Sequence, residues 1–146
     1  MKVQEQDQYH GIALTQIVEH KSFKALNRAS SKYGHYLVNT DRHVFLKYRT
    51  PVMSPWIFTL QADELKAIAA EVQVNQKVFL ALVCGTITVC ALDIDEVKEL
   101  VDLSIKLGQQ SIRVEVPQGG SCHVSGSAGS LKYTIPHNSF PNKVFE

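Results

Sequence analysis

The chain lacks the short motifs that announce common chemistries. It has no CxxC pair, and its six histidines fall in no HxxxH or HExxH pattern. Zinc-finger and zinc-protease readings of a local motif are thereby excluded. Neither GxxxxGK[ST] nor GxGxxG stands between a strand and a helix, which excludes a P-loop and a dinucleotide fingerprint. The longest uncharged apolar run, residues 78–92, contains Gly85, Thr86 and Thr88 and is too short to span a bilayer as a helix. The first ten residues, MKVQEQDQYH, are polar and do not read as a secretory leader. Cysteine is scarce and odd in number, at 84, 90 and 122, so a disulfide framework is not expected. Together these features suggest a cytosolic protein without a membrane partner.

What is present fits one folded unit. A length of 146 residues with 45% hydrophobic and 20% charged composition suits a single globular domain with one real core. The net charge is only +1, but it is segregated. Residues 21–50 carry seven Lys and Arg against Asp41 alone, a net of +6, and residues 61–103 carry a net of −5. Such asymmetry points to an anion-binding face or to a charged contact between subunits.

The periodicities predict a mixed α/β domain, with a central mixed sheet, flanking helices and a C-terminal β-meander over 111–146. Residues 1–10 read as frayed. Helical spacing starts at Gly11 and runs to His20. Ser22 to Lys32 reads as a short basic helix or irregular arm. Strands follow at 35–39, 43–48 and 56–60, with Pro51 and Pro55 bracketing a loop. A helix spans 62–72, and strands span 77–84 and 87–92, the first apolar enough to be covered on both faces. Asp93, Asp95 and Glu96 could be taken for a metal cluster, but their spacing is that of a capping box opening a helix that continues past Ile105 to Gly108. Strands at 111–116, 122–125 and 131–135 complete the chain. Its tail holds Phe140 and Phe145, which need cover.

Three segments carry candidate chemistry. The first is DRHVFLKYRTPVMSPWIF, residues 41–58. Strand alternation sets Val44, Leu46 and Tyr48 on one face and His43, Phe45, Lys47 and Arg49 on the other. The second is the basic stretch around it. Arg28, Lys32, Arg42, Lys47 and Arg49 offer charges for phosphate, and His43 and Trp56 offer rings that stack. The third is QGGSCHVSGSAGSLK, whose glycine turns offer backbone amides to an anion, with Lys132 as counter-charge. Hairpin turns are the favoured reading of it. Cys122 and His123, being adjacent on a strand, face opposite ways and cannot form a nucleophile and base.

The order of helix, three strands, helix and strand resembles the core of restriction-endonuclease-like nucleases, whose signature is an acid followed on the next strand by acid-x-lysine. On this sequence Asp41 and Lys47 are the matching positions, and Glu19 matches the extra acid that some members carry on the first helix. The resemblance covers about half the chain and implies a Mg²⁺-dependent nuclease with those three residues as its catalytic set. Phe45 stands where the second acid belongs, so the implied relative lacks one metal ligand. The segments around Lys47 to Phe58, VFLALVCG and SGSAGSLKYTIPHNSFP are also similar to small uncharacterised bacterial proteins, which imply no activity.

The expectation from the residues is therefore a non-catalytic binding or interaction module. It would recognise a nucleic acid or nucleotide through residues 21–50, without a cofactor. The nuclease is the alternative, with Mg²⁺. A structural subunit of a larger assembly, with a protein partner or its own copies, is the other.

Overall fold

The computed structural model describes residues 1–75, 77–105 and 108–146. Its centre is a five-stranded mixed sheet of β1 (Leu26–Ser30), β2 (Gly34–Val38), β3 (Arg42–Arg49), β5 (Val78–Cys84) and β6 (Thr88–Asp93), in that spatial order. β3 and β5 are parallel, with His43 opposite Val78 and Arg49 opposite Cys84, and the other pairs are antiparallel. A second, antiparallel sheet joins β4 (Trp56–Leu60), β7 (Gln110–Glu115) and β8 (His123–Gly126). β4 thus leaves the central sheet and pairs with the C-terminal strands.

The layers follow from alternation along the strands. Val44, Leu46, Phe79, Ala81, Val83 and Ala91 face α1 (Glu5–Val18) and α4 (Asn142–Phe145). Phe45, Leu80, Leu82, Cys84, Cys90 and Leu92 face the other way, onto α2 (Ala62–Val74), α3 (Ile94–Leu100) and the second sheet. All seven residues of β5 are buried, as its continuous apolar run requires of a strand covered on both faces. Cys84, Cys90 and Cys122 are free thiols within this core. No helix among the described residues is long and apolar enough to cross a membrane.

Several expectations need correcting. The N-terminus is not frayed over ten residues, because α1 begins at Glu5. The Gln4 amide donates to Asp7 Oδ2 at 2.8 Å, the Tyr9 ring stacks on Tyr48 at 4.9 Å, and His10 is buried. Polar residues there do packing work that a hydropathy pattern does not register. The basic arm at 22–32 contains an edge strand, β1, whose exposed Asn27, Arg28 and Ala29 give no hydrophobic period. Residues 131–135 form no continuous strand. That segment is held by an isolated bridge between Cys122 and Ile135, by the Leu131 amide donating to the Val124 carbonyl and by the Tyr133 hydroxyl donating to Glu96.

The capping box is present: Asp93 Oδ1 accepts from the Glu96 amide and Glu96 Oε1 from the Asp93 amide, both at 2.9 Å. Yet α3 ends at Leu100, where the expected helix continued to Gly108. Residues 106–107 of that expectation lie outside the described residues. The tail is covered by the chain itself. Phe140 and Val144 are buried, and Phe145 stacks on His20 at 4.2 Å. That removes the apolar tail as a motive for assembly.

Candidate functional site

One face of β3 and the helix above it organise the site. α2 crosses β3 so that Glu64, near its start, reaches Lys47 and Glu71, near its end, reaches His43. Lys47 Nζ lies 2.7 Å from Glu64 Oε2, and His43 Nδ1 lies 3.5 Å from Glu71 Oε2. The geometry permits both rungs, since four strand residues advance roughly 13 Å and seven helical residues roughly 10.5 Å. Phe45 lies between the rungs and packs in the core with Leu65 and Ile68. A third pair, Lys32 to Asp63 at 3.2 Å, extends the series at the exposed end. The basic segment therefore meets the acidic one inside the chain.

At the Lys47 end an open cleft of about 390 Å³ forms between the end of β1, the start of β2, α1 and α2. Arg28, Lys32, Lys47, His10, Tyr33 and Tyr48 contribute to its wall. Arg28 is held by neutral groups. Its Nε donates to the Ser30 carbonyl at 2.9 Å, and its terminal nitrogens donate at 3.4 Å to the Tyr33 carbonyl and the Tyr36 hydroxyl. The guanidinium lies 5.4 Å from the centre of the Tyr36 ring. Among the described residues no carboxylate pairs with it.

His10 backs the same cleft, edge-on to Tyr36 and Tyr48. Burial holds its pKa below the usual histidine value, the Arg28 charge adds to that, and Asp7 opposes it. The imidazole fits because residue 34 is glycine. A Cβ there would stand 2.9 Å from His10 Cε1 and 2.7 Å from the Leu46 carbonyl.

At the opposite end of β3 the His35 and His43 rings share the α2 side of the sheet. They are diagonal neighbours, since His35 pairs with Phe45 and Leu37 with His43. His35 Nε2 is 2.8 Å from His43 Nδ1, and the His35 ring stacks on Phe45 at 4.1 Å. Burial lowers the His35 pKa, the His43 charge lowers it further, and Glu71 opposes both. His35, His43 and Glu71 each place one donor atom within 4.8 Å of the other two. The sequence reading missed this cluster because it sought histidines spaced along a helix. The diagonal pairing of two adjacent strands was the available signal.

The remaining sequence candidates are dispersed. Arg42 pairs with Asp41 at 2.6 Å and reaches the Phe145 carbonyl, far along β3 from the cleft. Arg49 is exposed at the same end of β3 as Lys47 but is not part of the cleft wall, and its carbonyl accepts from the Gly85 amide. Trp56 must be corrected as a stacking platform. It is 1% exposed, and its indole Nε1 donates to the Pro51 carbonyl at 2.8 Å, so it is a core anchor. Asp41 lies in the turn before β3 and is six residues, roughly 20 Å, from Lys47 along an extended chain. Glu19 caps α1 beside Pro141 and Asn142. The fold thus brings Lys47 to Glu64 rather than to Asp41 or Glu19. His123 and Lys132 border a groove of about 300 Å³ beside the second sheet, on a separate part of the surface.

Compared with protein-family models, curated proteins and solved structures, the chain matches none of them. The functional reading therefore rests on geometry and charge.

Proposed function

We propose that this protein is a binding module for a small phosphate-bearing ligand, a nucleotide or the end of a nucleic-acid strand, held in the cleft beside Arg28. The observation that carries the reading is the state of that arginine. It is held by three neutral oxygens and an aromatic ring and makes no salt bridge with a carboxylate among the described residues, although Asp63 and Glu64 line the same cleft. A guanidinium ordered in this way offers a charge-assisted donor to an anion with little further loss of side-chain freedom. The cleft volume falls in the range of small-molecule sites. Lys32 adds to the attraction, since its pair with Asp63 is solvent-exposed and weak enough to reorganise around a phosphate. Tyr33 and Tyr48 offer hydroxyls and ring surface to a sugar or base.

The test is titration with nucleoside mono- and diphosphates, single-stranded and duplex oligonucleotides across a salt series. Phosphate-bearing ligands bind, more weakly as salt rises, and Arg28→Ala loses at least about tenfold in affinity. Absence of binding to every ligand, or binding indifferent to both salt and Arg28→Ala, removes the reading.

A further inference from the structure

We propose that His35, His43 and Glu71 form a binding site for a divalent transition ion of the zinc class, with a fourth position open to water. The site lies at the other end of β3 from the Arg28 cleft and does not depend on it. His35 Nε2, His43 Nδ1 and Glu71 Oε2 converge on one small volume.

An ordinary hydrogen-bond chain satisfies this arrangement poorly. His43 Nδ1 faces His35 Nε2 at 2.8 Å and Glu71 Oε2 at 3.5 Å. If His35 donates to it, the Nδ1 lone pair is directed at His35 and no proton is left for Glu71. If Nδ1 instead carries the proton, it serves one neighbour and leaves the other facing it without a bond. A cation accepts lone pairs from all three atoms at once.

The distances suit that role. Around a four-coordinate ion with bonds of about 2.0–2.1 Å, neighbouring donor atoms stand roughly 3.3–3.4 Å apart. For two of the three pairs the observed 2.8 and 3.5 Å bracket this value, and the third pair lies within 4.8 Å, so side-chain adjustment on binding completes the geometry.

The surroundings already orient the donors. Asn75 Nδ2 donates to Glu71 Oε2 at 2.9 Å, and Phe45 stacks against the His35 ring. Such outer contacts set ligand direction at metal centres. Two imidazoles and one carboxylate favour zinc and its transition-metal neighbours over magnesium or calcium, which prefer all-oxygen shells. Access is open on one side. The Glu71 side chain is 27% exposed and that of His43 14%, whereas His35 is buried. A bound ion would tie the end of α2 to β2 and β3 and keep one coordination position facing water.

The experiment uses tag-free, metal-stripped full-length protein titrated with Zn²⁺ by calorimetry, and with Co²⁺ by visible absorption. One ion binds per chain, cobalt gives the intense bands of four-coordination, and melting rises with Zn²⁺. Glu71→Gln and His43→Gln, each first checked for a wild-type melting transition without metal, lose the binding. Asn75→Ala weakens it about tenfold, and His123→Gln, on the second sheet, leaves it unchanged. A wild-type protein without saturable one-to-one binding overturns the proposal. So does binding that persists unchanged in both Glu71→Gln and His43→Gln. Neither outcome bears on phosphate binding, which is read with nucleotides in metal-free buffer.

Discussion

Replacing Glu64 by Gln separates a lysine engaged in structure from one available to a ligand. Lys47 Nζ and Glu64 Oε2 are 2.7 Å apart, with side chains 21% and 22% exposed. At an effective dielectric of about 20, Coulomb attraction at that separation is about 6 kcal/mol. Desolvation of both groups and ordering of the lysine offset most of it, leaving a coupling of about 1–2 kcal/mol. Lys47→Met should therefore lower the melting temperature by about 5 °C. The loss stays modest because Glu64 keeps some solvent access and accepts from the Gln61 amide at 3.3 Å. In Lys47→Met/Glu64→Gln most of that loss should return, since no charge is left unpaired. Glu64→Gln acts differently on the cleft. It removes a carboxylate from the cleft wall and frees the Lys47 ammonium, so phosphate affinity should rise by about 3–10-fold at low salt. Thermal melting of the four proteins gives the coupling, and nucleotide titration of the same set gives the binding effect. A Lys47→Met protein of unchanged stability that no longer binds phosphate would refute the rung as a structural element. Weaker binding by Glu64→Gln would show that the carboxylate itself holds the ligand.

Other perturbations test the frame around the site. Gly85→Ala should destabilise by about 3 kcal/mol in urea, because residue 85 has φ +55° and its Cβ would stand 2.4 Å from the Pro51 carbonyl oxygen. Wild-type stability for this variant would mean that the turn joining β5 and β6 is not tied to the Trp56 loop. Lys143→Met should cost about 3 kcal/mol by leaving Glu96 charged and nearly buried. Burial pushes the Glu96 pKa up, but Lys143, the Asp93 amide and Tyr133 together hold it below the ordinary value, so a loss under about 1 kcal/mol in denaturant melts would contradict that balance. His10, whose pKa is lowered mainly by burial, binds its proton more weakly folded than unfolded. Its contribution is complete above the unfolded value of 6.5 and is lost on acidification, at up to about 1.4 kcal/mol per pH unit. The stability difference between wild type and His10→Gln should shrink as pH falls from 7 to 5, and a difference independent of pH would count against a neutral buried His10.

The sequence was most legible where one face of an element is apolar. The alternation in β3, the covered run of β5, the stripe of α2 and the cap at Asp93 could all be read because burial itself sets their period. Legibility failed where packing is done by polar groups. The start of α1 relies on Asp7, Tyr9 and His10, and β1 is an edge strand with exposed Asn27, Arg28 and Ala29. Neither has a hydrophobic period. Trp56 misled for a related reason, because a ring beside basic residues in sequence can be anchored in the core in space. The site was visible only in fragments. Arg28, Lys32, His43 and Lys47 stood out as basic residues, but the partners of the last three, Asp63, Glu71 and Glu64, come from a helix further along the chain. His35 and His43 required the register of two strands, which no spacing along the chain reveals.

The segregation of charge between residues 21–50 and 61–103 now has a different meaning. It looked like a face awaiting a nucleic acid or a second subunit. In the fold, Lys32 meets Asp63, Lys47 meets Glu64 and His43 meets Glu71, so much of the basic segment is answered by the acidic helix above it. Counting cations along the chain therefore overstates the field available to a ligand. What matters is the remainder after internal pairing. Arg28 is a cation in the cleft whose partners are all neutral, and His43 is a rung whose Nδ1 faces both His35 Nε2 and Glu71 Oε2. The first leaves a positive charge without an anion, and the second leaves lone pairs without a cation. Arg28 reaches the cleft at the Lys47 end of β3 from β1, and His43 stands at the other end of β3, and neither is fully answered by the internal pairs. A ligand that completes either end would bind groups the fold already holds in place, which keeps the ordering cost of binding low.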